Sequence, residues 1–250
     1  MSKYIHEEVV HNVNDPQKIV PAVIKILNPK SVVDIGCGLG TFLSVFKQQG
    51  VTDVLGIDGP WVDKNLLQKN IALNEFKEMD LEKEIVLEKK YDLVVSLEVA
   101  EHLAKEKAEL FVKSLINSGN VILFSAALPN QRGQNHINEQ WLSYWEAIFN
   151  KQGYVIHDVI RPIFWNDKEL FWWYRQNMVL VTPKDYVFSQ NLPECPMRDL
   201  VHPELFESRN KELEEITSGK KRKLYYLRLL LKSFIGDSAD KFARIFTGKK

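Results

Sequence analysis

The sequence predicts an α/β protein with a doubly wound, mostly parallel sheet of seven strands, one of which is an antiparallel edge strand. Short apolar runs rich in β-branched residues alternate with segments of helical periodicity, and this alternation is typical of a parallel sheet covered by helices on both faces. The last two apolar runs, residues 154–165 and 171–183, have no helical segment between them. We therefore expect them to form an antiparallel pair at one edge of the sheet.

The elements follow one another in a regular order. Apolar residues at helical spacing predict a helix over 15–27, and the β-branched run at 31–36 predicts the first buried strand. A helix over 41–50 ends at Gly50, which suits a helix C-terminus, and a second strand covers 51–58. Further strands are expected within 91–103, 120–128, 154–165 and 171–183, and further helices within 105–116 and 138–153.

Composition limits the class of protein. The 250 residues are 45% hydrophobic, which is enough for one large core. Lysine plus arginine and aspartate plus glutamate number 33 each, so no overall charge attracts nucleic acid. The two cysteines, Cys37 and Cys195, form neither a metal-binding spacing nor a disulfide framework. No signal-like or membrane-length apolar run occurs, and we expect a cytoplasmic protein without a nucleic-acid partner.

Three glycines, Gly36, Gly38 and Gly40, separate the first strand from the next helix. A turn this bare either needs a left-handed backbone or lets a ligand approach the main chain. Asp34 precedes the turn, and Asp58 ends the second strand about 20 residues further on, where Rossmann-like sheets place an acid that holds ribose hydroxyls. The third glycine follows the second by two residues rather than three, which argues against NAD. The motif indicates a nucleotide site of another kind.

Three motifs carry a family resemblance. The stretches VVDIGCGLG at 32–40, LGIDG at 55–59 and YDLVVSLEVAEHL at 91–103 resemble the first, second and fourth-strand motifs of class I S-adenosylmethionine-dependent methyltransferases. The resemblance covers residues 21–183. It implies a methyltransferase whose cofactor is S-adenosylmethionine.

The resemblance also implies roles for single residues. Asp34 and the backbone at Gly36 would meet the methionine end of the cofactor, and Asp58 would accept both ribose hydroxyls. Asp80 would take the adenine amino group and Leu81 would flank the ring; alternatively, Asp80 is a solvated helix-capping acid. The implied cofactor contacts are Asp34, Gly36, Gly38, Gly40, Asp58, Gly59, Asp80, Leu81 and Glu98.

Candidate catalytic residues follow the fourth and fifth strands. Glu98 would lie near the methionine end and His102 over the pocket, or both residues would cap the following helix. A hydroxyl acceptor must lose its proton, and histidine is a natural base. We expect His136 to act as the base or to orient the acceptor, with His102 as the second candidate and His11 closing over the pocket. No aspartates cluster as in a magnesium site, and we predict no metal.

The acceptor is expected to contact the polar loop after the fifth strand. Loops at the carboxyl edge of such sheets bind ligands, and this loop contains Asn130, Gln131, Gln134, Asn135, His136 and Asn138. With WWYRQN at 172–177, it resembles a subgroup of methyltransferases that modify small molecules and sugars, often in surface-glycan or secondary-metabolite pathways. An antiparallel last strand would begin at this edge, and alternation would send Trp172 and Trp173 to opposite faces. The expected acceptor contacts are His11, Gln134, Asn135, Tyr174 and Gln176.

The composition changes after Pro183. A segment with several prolines is followed by a basic C-terminal region. From Lys220 onward this region contains ten lysines and arginines, and its acidic residues are Asp237 and Asp240. On a helix the basic residues Lys221, Arg228 and Lys232 form one stripe and the apolar residues Leu224, Leu227, Leu231 and Phe234 form another. We predict a methyltransferase domain at 1–183. Residues 184–250 are predicted to be a linker and an amphipathic helix that lies on an anionic inner-membrane surface or docks on a partner subunit or on its own core.

We therefore expect an S-adenosylmethionine-dependent O-methyltransferase that acts on a sugar, a nucleotide-linked sugar or a phosphoryl-linked oxygen, in a pathway such as surface-glycan biosynthesis. The alternative is a methyltransferase fold that binds nucleotide or a partner without catalysis. The glycine turn together with Asp34 and Asp58 favours the enzyme. A protein or nucleic-acid methyltransferase is a weaker third interpretation, because the residues before the basic end are acidic overall and no NPPY-like motif occurs.

Overall fold

The computed structural model describes residues 12–192 and 198–235. Its strands are β1 (Ser31–Ile35), β2 (Asp53–Asp58), β3 (Phe76–Glu78), β4 (Leu93–Leu97), β5 (Ile122–Ser125), β6 (Tyr154–His157) and β7 (Val179–Pro183). Its α-helices are α1 (Asn14–Leu27), α2 (Thr41–Gln48), α3 (Lys64–Leu67), α4 (Ala108–Ser118), α5 (Leu142–Lys151), α6 (Arg161–Phe164), α7 (Trp172–Asn177), α8 (Pro203–Thr217) and α9 (Lys223–Ile235). Short 3-10 turns occupy Leu73–Glu75, Ala100–His102 and Lys105–Lys107.

The seven strands form one sheet in the order β3-β2-β1-β4-β5-β7-β6. Strands β1 to β5 pair in parallel, whereas β7 pairs antiparallel with both β5 and β6. The predicted fold class and antiparallel pair are confirmed. The antiparallel strand is β7, one position in from the edge, and β6 lies outermost. The order reverses between β1 and β4, and sheets of this kind bind their ligands at the carboxyl ends of the strands beside such a reversal.

Helices cover both faces of the sheet and bury two apolar layers. Strands β1 and β4, with the sequences SVVDI and LVVSL, are buried along their whole length, as expected for central parallel strands. One layer packs residues of α1 and α2, such as Ile19 and Phe46, against the sheet. The other packs residues of α4 and α5, such as Phe111 and Phe149. The two layers hold the carboxyl ends of the strands in place.

Two predicted strands are shorter than expected. The strand predicted over 154–165 ends at His157 and is followed by α6, and the first half of the strand predicted over 171–183 is the helix α7. Aromatic residues favour strands as isolated sequence, but tertiary contacts override that preference here: Tyr174 packs on Phe42 with ring centroids 5.8 Å apart. The predicted alternation of Trp172 and Trp173 is therefore wrong, because both lie on one helix.

The described residues divide into two compact units, with the boundary between His202 and Pro203. The predicted boundary lay after Pro183, but residues near 198 belong to the first unit, where Arg198 Nε donates to Glu146 Oε1 at 2.9 Å. Within the second unit, α8 occupies part of the segment predicted as a proline-broken linker. Pro203 fits there because the first turn of a helix needs no proline N–H.

The predicted basic helix appears as α9, on which Leu227, Leu230 and Phe234 are exposed. Across the described ranges, no helix combines the length and the apolar composition needed to cross a membrane. Three of the sequence features discussed above lie outside the described residues: His11, Cys195 and the charged residues from 237 onward.

Candidate functional site

The glycine turn after β1 is built from left-handed backbone. Gly36, Gly38 and Gly40 have φ of +88°, +53° and +73°, a region that disfavours side chains. The turn is tied to β2, because the Gly36 N–H donates to the carbonyl oxygen of Ile57 at 2.7 Å. A Cβ on Gly36 would lie 2.3 Å from Val99 Cγ2. Glycine is therefore required at this position both by the backbone and by the neighbour from the β4 loop.

Asp58 fastens this turn from the end of β2. Its Oδ2 accepts from the Gly38 N–H at 2.8 Å, and its Oδ1 accepts from the Gly59 N–H at 2.6 Å. Burial raises the pKa of Asp58 to about 6, while the bonds from the two glycines and from the Trp61 side chain oppose that rise. Each carboxylate oxygen can accept a further hydrogen bond. The predicted ribose contact is compatible with this geometry and stays a prediction.

Asp34 is the second buried acid beside the turn. Burial raises the pKa of its carboxyl well above the ordinary value, and the nearby Asp58 adds to the rise. Within the described ranges, neither acid forms a salt bridge with a lysine or arginine. A polyphosphate would be repelled by two carboxylates, whereas the sulfonium and ammonium groups of S-adenosylmethionine would compensate them. The acids at this site therefore fit that cofactor.

The two residues predicted to contact adenine differ in burial, since Asp80 is exposed and Leu81 is buried. Asp80 is exposed, and its Oδ1 accepts from the Glu82 N–H at 3.1 Å, so it caps a turn. Leu81 is buried in the core layer that contains Phe111. The Trp61 ring occupies the space where a Cβ on Gly59 would lie. The turn-capping alternative for Asp80 describes its present contacts, and its role toward adenine stays a prediction.

Glu98 sits just past β4 in a strained backbone conformation. Its φ of +55° is unusual for a residue with a side chain, and such strain is common at functional sites. Gln131 Nε2 donates to its Oε2 at 2.6 Å, and Asn177 Nδ2 donates to its Oε1 at 3.0 Å. Burial raises the pKa of Glu98, against these hydrogen bonds and one from Ser125. The carboxylate is thus held between the β5 loop and the residue that ends α7.

Gln176 supports this arrangement from behind. It is 1% exposed, its Nε2 donates to Asn177 Oδ1 at 3.1 Å, and its Oε1 accepts from the His202 N–H at 2.7 Å. Both ends of the amide are therefore engaged within the protein. In this arrangement Gln176 supports Asn177, and its predicted contact with the acceptor stays a prediction.

The polar loop after β5 is fastened to the turn after β4. The N–H groups of Ile137 and Asn138 both donate to the backbone oxygen of Glu101, at 2.9 and 3.0 Å. Within the loop, Asn130, Arg132 and Asn135 all have positive φ. These contacts bring His136 beside His102, with ring centroids 4.9 Å apart. The two predicted catalytic histidines therefore lie together.

Glu139 fixes the ring of His136. His136 Nδ1 lies 2.9 Å from Glu139 Oε1, and the loop N–H groups of Asn130 and Arg132 donate to the same carboxylate. The ring also fills the place of a side chain at Gly133, since a Cβ there would lie 2.2 Å from His136 Nε2. A proton on Nδ1 shared with Glu139 leaves the Nε2 lone pair available.

Glu101 is the residue that sequence reasoning missed. It is 0% exposed, and neither carboxylate oxygen accepts a hydrogen bond of normal geometry from any described residue. Burial raises the pKa of Glu101 well above its ordinary value; Glu98 and Glu139 add to the rise, and the backbone near Glu101 and Ala127 opposes it. Its Oε1 lies 4.0 Å from His136 Nε2. Its position within the apolar run VSLEVAEHL, where a charged side chain is expected to be buried, is the feature of the sequence that points to it.

His102 has the surroundings of a neutral imidazole. Burial and, to a smaller extent, the nearby His136 lower its pKa to about 4, while backbone groups of Asn135, Gln134 and Glu98 act in the opposite direction. Gln134 is exposed and Asn135 is half-buried in the same loop. Tyr174 is half-buried on α7, and its role toward the acceptor stays a prediction, as do those of Gln134 and Asn135.

The strand order, the glycine turn and the paired acids define a class I S-adenosylmethionine-dependent methyltransferase domain. The chain belongs to the family described as "Methyltransferase domain", whose model matches residues 11–178.

Individual relatives agree with this class. The chain is 32% identical over 111 residues to a ribosomal protein L11 methyltransferase of Fusobacterium nucleatum. The aligned region covers 41% of this chain and 34% of the relative. The chain spans between a third and a half of the length of the curated relatives that it matches.

Solved structures share the fold at low identity. DesVI of Streptomyces venezuelae superposes with a TM-score of 0.54 at 14% identity, covering 72% of this chain and 100% of that one. A putative O-methyltransferase of Nostoc punctiforme superposes with a TM-score of 0.50 at 16% identity, covering 68% and 56%. At such identities these structures are alike in fold.

Proposed function

We propose that the protein transfers a methyl group from S-adenosylmethionine to an oxygen of a small polar acceptor, such as a sugar, a nucleotide-linked sugar or a phosphoryl-linked oxygen, in surface-glycan biosynthesis. One observation carries the proposal: the polar loop after β5 is fastened to Glu101, at the sheet edge where the glycine turn lies. Cofactor-type and acceptor-type side chains are thereby gathered at one edge, as methyl transfer requires.

The residues of this edge have separate tasks. Bound S-adenosylmethionine supplies an electrophilic methyl group on a sulfonium. Asp34 and Asp58 compensate its charge and accept its hydroxyls, and Glu98 orients its amino group. His136 lies across the edge, where it contacts the acceptor oxygen and either takes its proton or orients it. Positioning of this kind can supply much of the rate of a displacement reaction.

The direct test is acceptor-dependent formation of S-adenosylhomocysteine. The purified chain is incubated with labelled S-adenosylmethionine and a panel of nucleotide sugars, sugar phosphates and free sugars. A ribosomal protein is added as a protein acceptor, because a curated relative is named for one. Turnover with a polar small molecule supports the proposal. Tight cofactor binding without turnover on the whole panel would instead support a non-catalytic protein, and turnover on protein alone would change the acceptor class.

The His136→Ala variant tests the acceptor side separately. S-adenosylhomocysteine affinity should stay near that of the wild type, while turnover falls roughly 10²- to 10⁴-fold. His157→Ala is the matched control, since His157 bonds Thr182 at 3.0 Å on the outer strands and should leave turnover unchanged. His136→Asn recovers much of the rate if hydrogen bonding to the acceptor is the main task. Full turnover in both His136 variants would exclude this residue from the site.

A further inference from the structure

Three potential metal ligands meet beside the proposed acceptor site. One carboxylate oxygen of Glu101 and one ring nitrogen each of His102 and His136 all lie within 4.8 Å of one another. The residues come from two segments, the turn after β4 and the loop after β5, which are joined by the hydrogen bonds to the Glu101 backbone. Ligands of one ion with bonds of about 2.1 Å lie roughly 3.4 Å apart, so small side-chain rotations suffice to close the cluster.

Glu101 is the main indication that a cation belongs here. The side chain is fully buried, and within the described part of the chain its two oxygens accept no hydrogen bond of normal geometry; the backbone N–H groups of Glu101 and Ala127 offset the effect of burial only in part. An ionised carboxylate in such a place is strongly unfavourable unless a cation compensates it. Its salt-bridge contact in the described ranges is with His136, at 4.0 Å. A metal ion would satisfy the carboxylate where the protein does not.

The orientation of His136 has the same implication. Metal-bound imidazoles commonly donate their other N–H to a carboxylate, which fixes the ring and its tautomer. Here Glu139 lies 2.9 Å from Nδ1, and backbone N–H groups of the loop hold Glu139 in turn. The opposite nitrogen, Nε2, faces Glu101. This preorganisation is independent of the burial of Glu101.

We propose that Glu101, His102 and His136 bind one divalent transition-metal ion of the Mn²⁺, Fe²⁺ or Zn²⁺ type. Two imidazoles and one carboxylate suit these ions better than Mg²⁺ or Ca²⁺, which prefer oxygen ligands. Three protein ligands leave coordination positions for the acceptor. The role in transfer rests on the proposed function: the ion would bind the acceptor oxygen and lower its pKa, so that its proton passes to a water molecule as the oxygen takes the methyl group. His136 would then be a ligand rather than the base.

Metal binding is measured without acceptor or cofactor, so its outcome is independent of turnover. The full chain is stripped with a chelator and dialysed against Mn²⁺ or Zn²⁺, and bound metal is determined by elemental analysis. We expect about one ion per chain and a rise in the melting temperature with metal. Glu101→Gln and His136→Ala should each weaken binding at least tenfold. His157→Ala is the control and should bind like the wild type.

Loss of binding must be separated from loss of folding. Glu101→Gln removes a buried charge and should be at least as stable as the metal-free wild type, which thermal unfolding checks, and both variants should still bind S-adenosylhomocysteine. The proposal is overturned if the stripped wild type binds neither metal, or if Glu101→Gln and His136→Ala bind metal with unchanged affinity. Metal binding without any methyl transfer would overturn the proposed function and leave the metal site standing.

Discussion

The carboxylate of Asp58 accepts a hydrogen bond from the backbone N–H of Gly38, with Oδ2 and N separated by 2.8 Å. The acid that ends β2 thus also shapes the turn that follows β1. A second bond joins its Oδ1 to the Gly59 N–H at 2.6 Å. The side chain that we propose for the cofactor ribose therefore also sets the conformation of the glycine turn.

Asp58→Ala should weaken S-adenosylhomocysteine binding and also destabilise the fold. Loss of a charged acceptor for two hydroxyls costs about 1.5–3 kcal/mol, which is roughly a 10- to 150-fold change in affinity. The two glycine N–H groups also lose their acceptor, which lowers the free energy of unfolding by about 1–3 kcal/mol. Calorimetry measures the first effect and urea unfolding the second. Asp63→Ala is the control, because Asp63 caps α3 from an exposed position in the same loop, and unchanged affinity in Asp58→Ala would remove Asp58 from the site.

Gly36→Ala should destabilise the protein more than Gly50→Ala. Both glycines have a similar left-handed backbone, with φ of +88° and +94°, which strains alanine by about 1–2 kcal/mol. A Cβ on Gly36 also meets Val99 Cγ2 at 2.3 Å, whereas a Cβ on Gly50 has no atom within 4 Å. The difference between the two variants, measured by urea unfolding, should be about 1–3 kcal/mol. Val99→Ala should recover part of this difference in Gly36→Ala, and equal losses in the two single variants would show that Val99 makes no steric demand.

Through the carboxyl group of Asp58, a lower pH should raise the free energy of unfolding of the ligand-free protein and lower its affinity for the cofactor. The pKa of Asp58 is raised from 3.8 to about 6 in the folded chain. A raised acid contributes stability that is present below its unfolded pKa and is lost as the pH rises through the folded pKa. The contribution of Asp58 to the free energy of unfolding should therefore decrease as the pH rises from about 4 to about 6. Cofactor affinity should rise over the same interval, because a cation and hydroxyl donors prefer the ionised carboxylate.

Asp58→Asn isolates the contribution of that carboxyl to both pH profiles. Other acids, such as Asp167 beside Lys18, have a lowered pKa, and their contribution to the stability of the protein is lost in acid. The pH profile of the wild type is therefore the sum of opposing contributions. The difference between wild type and Asp58→Asn, by urea unfolding and by calorimetry at each pH, should contain the predicted change. Parallel profiles for the two proteins would show that Asp58 is ionised throughout.

The exposed leucines of α9 should mediate an association of the chain. Leu227 and Leu230 are 50% and 55% exposed on a helix that carries basic residues, a composition suited to an anionic membrane surface or to a partner subunit. Leu227→Asp with Leu230→Asp should reduce sedimentation with phosphatidylserine vesicles or lower the oligomeric state by light scattering, and should leave S-adenosylhomocysteine affinity unchanged. Leu213→Asp on α8 is the control, with 59% exposure on an acidic helix. No change in either measurement would leave α9 as a surface helix.

Local sequence was sufficient for the sheet and for the glycine turn after β1. The β-branched runs at β1, β2 and β4 are buried strands whatever their partners, because apolar residues of that shape fit a covered sheet. The glycines of the turn after β1 follow from backbone sterics alone. Their spacing and the acid at Asp58 therefore indicate a nucleotide-type site from the sequence alone.

The proposed acceptor side depends on contacts between distant parts of the chain. Gln131 and Asn177 converge on Glu98 only because β7 inserts between β5 and β6 and brings the end of α7 to the carboxyl edge. The helix at 172–177 itself overrides the strand preference of its aromatic residues. Glu101 is buried beside His136 because a loop 35 residues later folds onto its backbone. Such juxtapositions follow from strand order and loop packing, and residue spacing along the chain carries no direct record of either.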